Sequence, residues 1–91
     1  MFVVIAYDIV DDKKRTKIAK ILKNFGDRVQ KSVFECDVND KQFLALKSMI
    51  EKKINFNEDS VRYYFLCANC KKNIEVSGLG SVKEYDDVII V

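Results

Sequence analysis

One acidic residue follows a predicted buried strand and could hold a metal ion. Asp8 comes directly after the apolar and aromatic residues 2–7, which have the pattern of a strand in the middle of a sheet. A single carboxylate is a poor metal site alone, but Mg²⁺ or Mn²⁺ accepts one or two carboxylates with waters and phosphate oxygens, so Asp8 from two subunits across a two-fold axis would suffice. The alternative is a turn residue that competes with Asp11 and Asp12 to cap the next helix.

Basic residues are concentrated after this strand. Between Lys13 and Lys31 the chain has eight Lys or Arg residues and one acidic residue, Asp27. The basic residues are Lys13, Lys14, Arg15, Lys17, Lys20, Lys23, Arg28 and Lys31. The formal net charge is only +2, so the total does not identify a nucleic-acid-binding protein. The segment is either a phosphate-binding surface or the solvated face of a helix.

Arg15 differs from the other basic residues in its position on the helix. It shares the stripe of Ile18, Leu22 and Phe25, so we expect it to point towards the sheet and to bring its guanidinium near Asp8. Such a pair is either a structural ion pair or an Arg that grips a phosphate beside the metal.

The residue types that are absent narrow the possible chemistry. The chain has no His, which excludes Ser-His-Asp triads, Cys-His pairs and HExxH zinc sites. Hydrolysis would therefore need a carboxylate and a metal ion. Cys67 and Cys70 form a CxxC motif, but only Cys36 could complete a site, so we interpret these thiols as structural. Tyr63 and Tyr64 beside Arg62 could stack on bases, although this spacing is more typical of a core or an interface.

The pattern of apolar residues predicts a small α+β domain. A helix follows Asp11 and Asp12, and Gly26 is placed to act as its C′ residue. The extended residues 28–38 change face near Lys31 and Ser32, which indicates two strands. A second helix, capped by Asn39 or Asp40, precedes a strand over residues 61–67 and two short strands, the last at residues 88–91. Its predicted buried residues are Phe43, Leu46, Met49, Ile50 and Ile54.

These elements favour a ferredoxin-like βαββαβ fold, with two helices on one face of an antiparallel sheet and extra C-terminal strands. We assign residues 1–78 to this domain and residues 79–91 to a C-terminal association strand. Apolar residues on both faces of the strand at residues 61–67 favour a sheet-to-sheet homodimer. The odd cysteine count, the lack of a signal peptide and the short apolar runs predict a cytoplasmic protein without a membrane span.

Three segments carry a resemblance to a known family. Residues 4–9, residues 26–36 and residues 61–64, together with Arg15, closely resemble the small CRISPR-associated protein 2 family, from Met1 to about Gly78. The resemblance implies a ferredoxin-like homodimer with a divalent-metal site formed by the two copies of Asp8. It implies either a metal-dependent endonuclease of single-stranded RNA or duplex DNA, or a non-catalytic scaffold that bridges CRISPR integrase dimers on a protospacer duplex.

The resemblance also implies which residues take part in activity or in substrate binding. The residues at the family's activity or substrate positions are Tyr7, Asp8, Arg15, Lys17, Arg28 and Phe34. Lys17 stands where an Arg is common, which weakens bidentate phosphate binding there. The basic segment adds Lys13, Lys20 and Lys31 as expected phosphate contacts.

Overall fold

Six elements follow one another in residues 1–67, which the computed structural model describes together with Glu75 and Ser77. They are β1 (Phe2–Asp8), α1 (Asp12–Lys23), β2 (Gly26–Gln30), β3 (Val33–Asp37), α2 (Asp40–Glu51) and β4 (Ser60–Leu66). The βαββαβ order predicted from the sequence is confirmed. The predicted late strands, Cys70 and the association segment at residues 79–91 lie outside the described residues. Neither helix of the described part is long and apolar enough to cross a membrane.

Strand β1 lies inside a four-stranded antiparallel sheet with the order β2-β3-β1-β4. Ile5 of β1 is opposite Phe34 of β3 and Tyr63 of β4. Because successive side chains of a strand point to opposite faces, the odd-numbered residues of β1 share one face and the even-numbered residues share the other. Asp8 therefore lies on the face opposite that of Val3, Ile5 and Tyr7.

The hydrophobic core lies between one face of the sheet and the two helices. Both helices bury residues in the same cluster as Val3 and Ile5, so they pack on the same sheet face. The remaining buried members are Tyr7, Ile9, Ile18, Ala19, Leu22, Phe34, Cys36, Val38, Leu46 and Ile50. Met49 was predicted to belong to this core, but it is 45% exposed. The other predicted residues do pack on the core: Leu46 and Ile50 are buried, and Phe43 and Ile54, the latter just after α2, are partly buried against it.

The helix starts are fixed by side chains close in sequence. The carboxylate of Asp11 accepts a hydrogen bond from the Lys14 amide at 2.9 Å, so Asp11 is the N-cap of α1 and Asp8 is not. Asn39 and Gln42 form a reciprocal capping box at the start of α2, with distances of 2.8 and 2.9 Å. The cap of the first helix leaves Asp8 available for another role.

Gly26 is required by the approach of two strands, and its predicted role as a helix C′ residue is wrong. Helix α1 ends with Asn24 as its C-cap, and Gly26 is the first residue of β2, opposite Cys36 of β3. A Cβ at this position would overlap the Glu35 carbonyl and lie 2.8 Å from the Cys36 Cα. The predicted break at Lys31 and Ser32 is confirmed as the turn between β2 and β3, and the register shifts between Arg28 and Gln30.

Gly26→Ala should lower the free energy of unfolding by about 1–3 kcal/mol, because β2 must move away from β3 to admit a methyl group. Urea unfolding followed by circular dichroism would measure the loss. Val29→Ala, a truncation at the exposed bulge of the same strand, should change the value by no more than about 0.5 kcal/mol. Equal stability of Gly26→Ala and the parent chain would contradict this account.

Candidate metal and nucleic-acid site

Asp8 lies in a groove on the sheet face opposite the helices, at the carboxyl end of β1. This strand-end groove has a volume of about 260 Å³ and is lined by Ala6, Tyr7, Asp8, Ser60, Arg62 and Tyr64. Asp8 is opposite Ser60 in the pairing of β1 with β4. The carboxylate is exposed and forms no ion pair with any described residue, so it is accessible to a ligand.

The residues of this groove fit a hard cation that keeps most of its waters. Among the described residues no group of three or more His, Cys, Asp or Glu side chains could hold a metal, so one chain offers a single carboxylate here. Magnesium is commonly bound through one or two carboxylates, with water and phosphate oxygens as the other ligands. The Asp8 carboxylate matches that role, and the neighbouring Ser60 hydroxyl is an additional hard oxygen.

Arg15 contributes to a different groove from the one that holds Asp8. Its guanidinium forms an ion pair with Asp12, three residues earlier in α1. The expected approach of Arg15 to Asp8 is therefore replaced by a pair within the helix, because Asp12 is the nearer carboxylate along the chain. With Thr16, Arg28 and Lys31, these two residues line a basic groove of about 280 Å³ between α1 and the β2–β3 turn.

Three of the predicted site residues pack against one another at this basic groove. The Arg28 guanidinium donates a hydrogen bond to the Tyr7 hydroxyl at 3.3 Å and lies 5.5 Å from the centre of the Phe34 ring. The Tyr7 hydroxyl donates to the Lys31 carbonyl at 3.4 Å. Phe34 is fully buried and Tyr7 is 5% exposed, so both act in this structure as supports that hold Arg28 at the surface.

The remaining predicted phosphate contacts are exposed. Lys13, Lys17 and Lys20 lie on the solvent side of α1, and Lys31 lies in the turn between β2 and β3. None of these four lysines forms an ion pair with a described residue. They present a positive surface that continues from the basic groove along the first helix.

Asp59 is a site residue that the sequence analysis missed. Its side chain is only 1% exposed. One carboxylate oxygen accepts a hydrogen bond from the Val10 amide at 3.0 Å, and the other accepts from the Asn55 amide at 2.8 Å. The Lys14 ammonium lies 3.9 Å away. Asp59 thus fastens the loop after β1 to the loop before β4, on either side of the pair formed by Asp8 and Ser60. The only available signal was an acidic residue two positions before the predicted strand at residues 61–67.

The Tyr63 hydroxyl and the Cys36 thiol have raised pKa values, which makes them poor candidates for acid–base or nucleophilic chemistry. Burial, with a smaller contribution from Glu51, raises the pKa of Tyr63 to about 12, and its ring packs edge-on against Phe43. Tyr64, in contrast, is 47% exposed in the strand-end groove. Burial, with Asp27 and Glu35, raises the pKa of Cys36 to about 11, so this thiol stays protonated near neutral pH. Cys67 is exposed.

Comparison with known proteins assigns the chain to a family. The model of the CRISPR associated protein Cas2 family matches residues 1–74. The chain belongs to the Cas2 family. A Chloroflexus aurantiacus relative named CRISPR-associated endoribonuclease Cas2 1 is 41% identical over 92 residues, which cover 100% of this chain and 99% of the relative. A Thermus thermophilus relative named CRISPR-associated endoribonuclease Cas2 is 46% identical over 66 residues, covering 72% and 70% respectively.

Solved structures agree with this assignment of the chain to the Cas2 family. The crystal structure of Streptococcus pyogenes Cas2 at pH 6.5 superposes with a TM-score of 0.77 and 34% identity, over 86% of this chain and 100% of the other. A chain of a structure described as a partial Cas6-RT-Cas1–Cas2 complex gives a TM-score of 0.65 with 30% identity, over 82% and 88%.

Acid should remove the contribution of Asp59 to the stability of this Cas2-family chain. The amides of Asn55 and Val10, and to a lesser degree Lys14, lower the pKa of Asp59. Its stabilisation is therefore complete above its unfolded pKa of about 3.9 and is lost as the pH falls through the lower folded pKa. The difference in unfolding free energy between the parent chain and Asp59→Asn should be greatest above pH 5 and should shrink below pH 4.

Chemical denaturation across this pH range would measure that difference. Ile50→Val, which truncates a fully buried residue of α2, is the matched control because it removes no ionisable group and should give the same difference at every pH. A pH-independent difference for Asp59→Asn would show that its carboxylate charge does not hold the two loops.

Proposed function

We propose that this chain is a metal-dependent endonuclease of RNA that acts in CRISPR spacer acquisition. The observation that carries the proposal is the exposed Asp8 carboxylate at the end of the central strand, in a groove shared with Ser60 and Arg62. The names of the Chloroflexus and Thermus relatives support RNA as the substrate. A further Thermus thermophilus relative, 34% identical over 87 residues, is named an endonuclease, so duplex DNA is a second candidate substrate.

In the proposed mechanism Asp8 holds Mg²⁺ or Mn²⁺ and the basic residues hold the nucleic acid. When bound, such an ion activates water and stabilises the charge on the leaving oxygen. Arg15, Arg28 and Lys31 grip phosphates along the basic groove by charge-assisted hydrogen bonds. Tyr7 and Phe34 keep the Arg28 guanidinium in place for this contact.

The proposed working unit is a homodimer of ferredoxin-like subunits whose sheets face each other. The sheet face that carries Asp8 also carries the partly exposed apolar residues Val4 and Leu66 and the half-exposed Tyr64. A domain of this size has a small core of its own, and the pairing of two such faces would bury further apolar surface. The two-fold axis would bring a second Asp8 to the metal.

The proposed partner in spacer acquisition is the CRISPR integrase Cas1. The likeness to a chain of the Cas6-RT-Cas1–Cas2 complex supports this partner. The association strand expected at residues 79–91 remains the candidate docking segment, either on the second subunit or on the integrase.

Asp8→Asn should abolish metal-dependent cleavage of single-stranded RNA, with a loss of at least about 100-fold in rate, because the amide keeps the shape but not the charge that holds the cation. Cleavage of a labelled RNA in Mg²⁺ or Mn²⁺ would be followed on gels. Asp40→Asn, which changes an exposed carboxylate at the start of α2, should retain the parent rate. Cleavage that persists in EDTA or in Asp8→Asn would refute the proposal.

The second candidate function is a non-catalytic scaffold that holds duplex DNA between integrase dimers. The exposed Lys13, Lys17 and Lys20 on α1, next to the basic groove, favour it. This surface offers cations for phosphates, and nothing in its composition reads base edges. A dimer would double the positive surface along a duplex.

Under the scaffold function, duplex affinity should fall steeply with salt and be nearly independent of sequence. The combined Lys13→Glu, Lys17→Glu and Lys20→Glu variant should weaken binding to unrelated duplexes equally and reduce the slope of log K against log salt by about one per lost contact. Fluorescence anisotropy at several salt concentrations would measure both quantities.

The matched control reverses three lysines on or next to α2, at Lys41, Lys47 and Lys52. This variant has the same net charge as the test variant and should bind duplexes more tightly than it does. Equal weakening by the two variants, or clear discrimination between unrelated duplexes of equal length, would count against the scaffold.

A further inference from the structure

Arg62 and Tyr64 lie beside Asp8 on the sheet face opposite the helices. Arg62 is opposite Ala6 and Tyr64 is opposite Val4 in the pairing of β4 with β1, so all of them share the face of Asp8. Arg62, Tyr64 and Asp8 line the same strand-end groove. Side chains that neighbour one another on such a face are separated by about 5–8 Å at Cβ, which an Arg side chain can span.

The Arg62 side chain lies next to Tyr64 and has no carboxylate partner among the described residues. Arg62 and Tyr64 are neighbours on the same face of β4 and line the same groove, the interaction with the Tyr64 side chain raises the pKa of Arg62, and no described carboxylate forms an ion pair with Arg62. A guanidinium has several N–H donors in a planar fork, and one hydroxyl accepts only a few of them. Arg62 therefore keeps free donors at a groove whose carboxylate is itself free to bind a cation.

We propose that Arg62 is the phosphate-binding residue of the Asp8 groove and that Tyr64 holds it there. Resting on the proposed function, this assigns the phosphate at the metal to Arg62, whereas Arg15, Arg28 and Lys31 bind phosphates in the basic groove on the other face of the sheet. A planar guanidinium matches two oxygens of one phosphate. The groove volume of about 260 Å³ admits a group of that size.

Tyr64 has a second effect on the groove through the same contact. A free guanidinium within reach of Asp8 would form an ion pair with it and compete with a divalent cation for the carboxylate. By accepting a hydrogen bond from Arg62, the Tyr64 hydroxyl keeps the arginine available for phosphate and the aspartate available for metal. Tyr64 is thus a positioning residue that acts through Arg62.

Metal binding without nucleic acid tests the role of Tyr64. The full chain would be titrated with Mn²⁺ and the free ion followed by electron paramagnetic resonance. Tyr64→Phe should weaken Mn²⁺ binding about threefold to tenfold, whereas Arg62→Gln should bind Mn²⁺ at least as tightly as the parent chain. The double variant should recover the parent affinity, because without Arg62 nothing competes for Asp8. An effect of Tyr64→Phe that persists in the double variant would overturn its role as a positioning residue.

Cleavage kinetics test the role of Arg62. Arg62→Gln should lower kcat/KM for a short single-stranded RNA about tenfold to a hundredfold, as expected for the loss of a charge-assisted contact, and Arg62→Lys should recover part of it. Lys52→Ala removes an exposed cation just after α2 and should leave both measurements unchanged. Light scattering of every variant would verify that its oligomeric state matches that of the parent chain.

The outcomes separate this inference from the proposed function. Retention of Mn²⁺ binding by Asp8→Asn would overturn the metal site, and with it the proposed function. If Asp8→Asn loses Mn²⁺ but Arg62→Gln cleaves RNA as well as the parent chain, the metal site stands and the assignment of Arg62 is wrong.

Discussion

The alternation of side chains along β1 is the constraint on which the arrangement of the molecule depends. All seven of its residues pair with β4 on one side, and the first five pair with β3 on the other. Val3, Ile5 and Tyr7 face the helices, and Asp8 therefore faces away from them. A register shift of one residue would exchange the two faces and place a carboxylate in the core, where an unpartnered charge is strongly disfavoured. Burial of the core thus fixes the side of the sheet on which the Asp8 carboxylate lies.

The alternation of side chains along the strands places the two candidate binding grooves on opposite faces of the sheet. The basic groove lies on the helix side, where Arg28 rests on the Phe34 ring, and the strand-end groove lies on the other side with Asp8. Asp59 connects the loops at the end of β1 and the start of β4 through the Val10 and Asn55 amides. The geometry of the Asp8 end therefore depends on contacts between segments that are far apart in sequence.

Features that depend on nearby residues could be predicted from the sequence, and features that depend on distant residues could not. The cap at Asp11 and the element order follow from local spacing. The role of Gly26 depends on the approach of β3, which no local pattern encodes. Arg15 is expected near Asp8 because it shares the apolar stripe of α1 that faces the sheet. Its ion-pair partner in the structure is instead Asp12, which is closer in sequence. The role of Asp59 could not be predicted because its hydrogen-bond partner Val10 is 49 positions away. Arg62 lies beside Asp8 only because of the register between β1 and β4.

The packing around Arg28 has a consequence for the kinetics of binding. A long cationic side chain ordinarily loses about 2 kcal/mol of rotamer entropy when a ligand immobilises it. The Tyr7 hydroxyl and the Phe34 ring already restrict Arg28 in the folded chain, so part of that loss occurs during folding. Lys13, Lys17 and Lys20 remain free in solvent, and their charges act mainly on the rate of encounter with a polyanion. Under the proposed function the two groups of cations have different effects: the lysines increase the rate at which nucleic acid arrives, and Arg28 increases the time for which it stays bound.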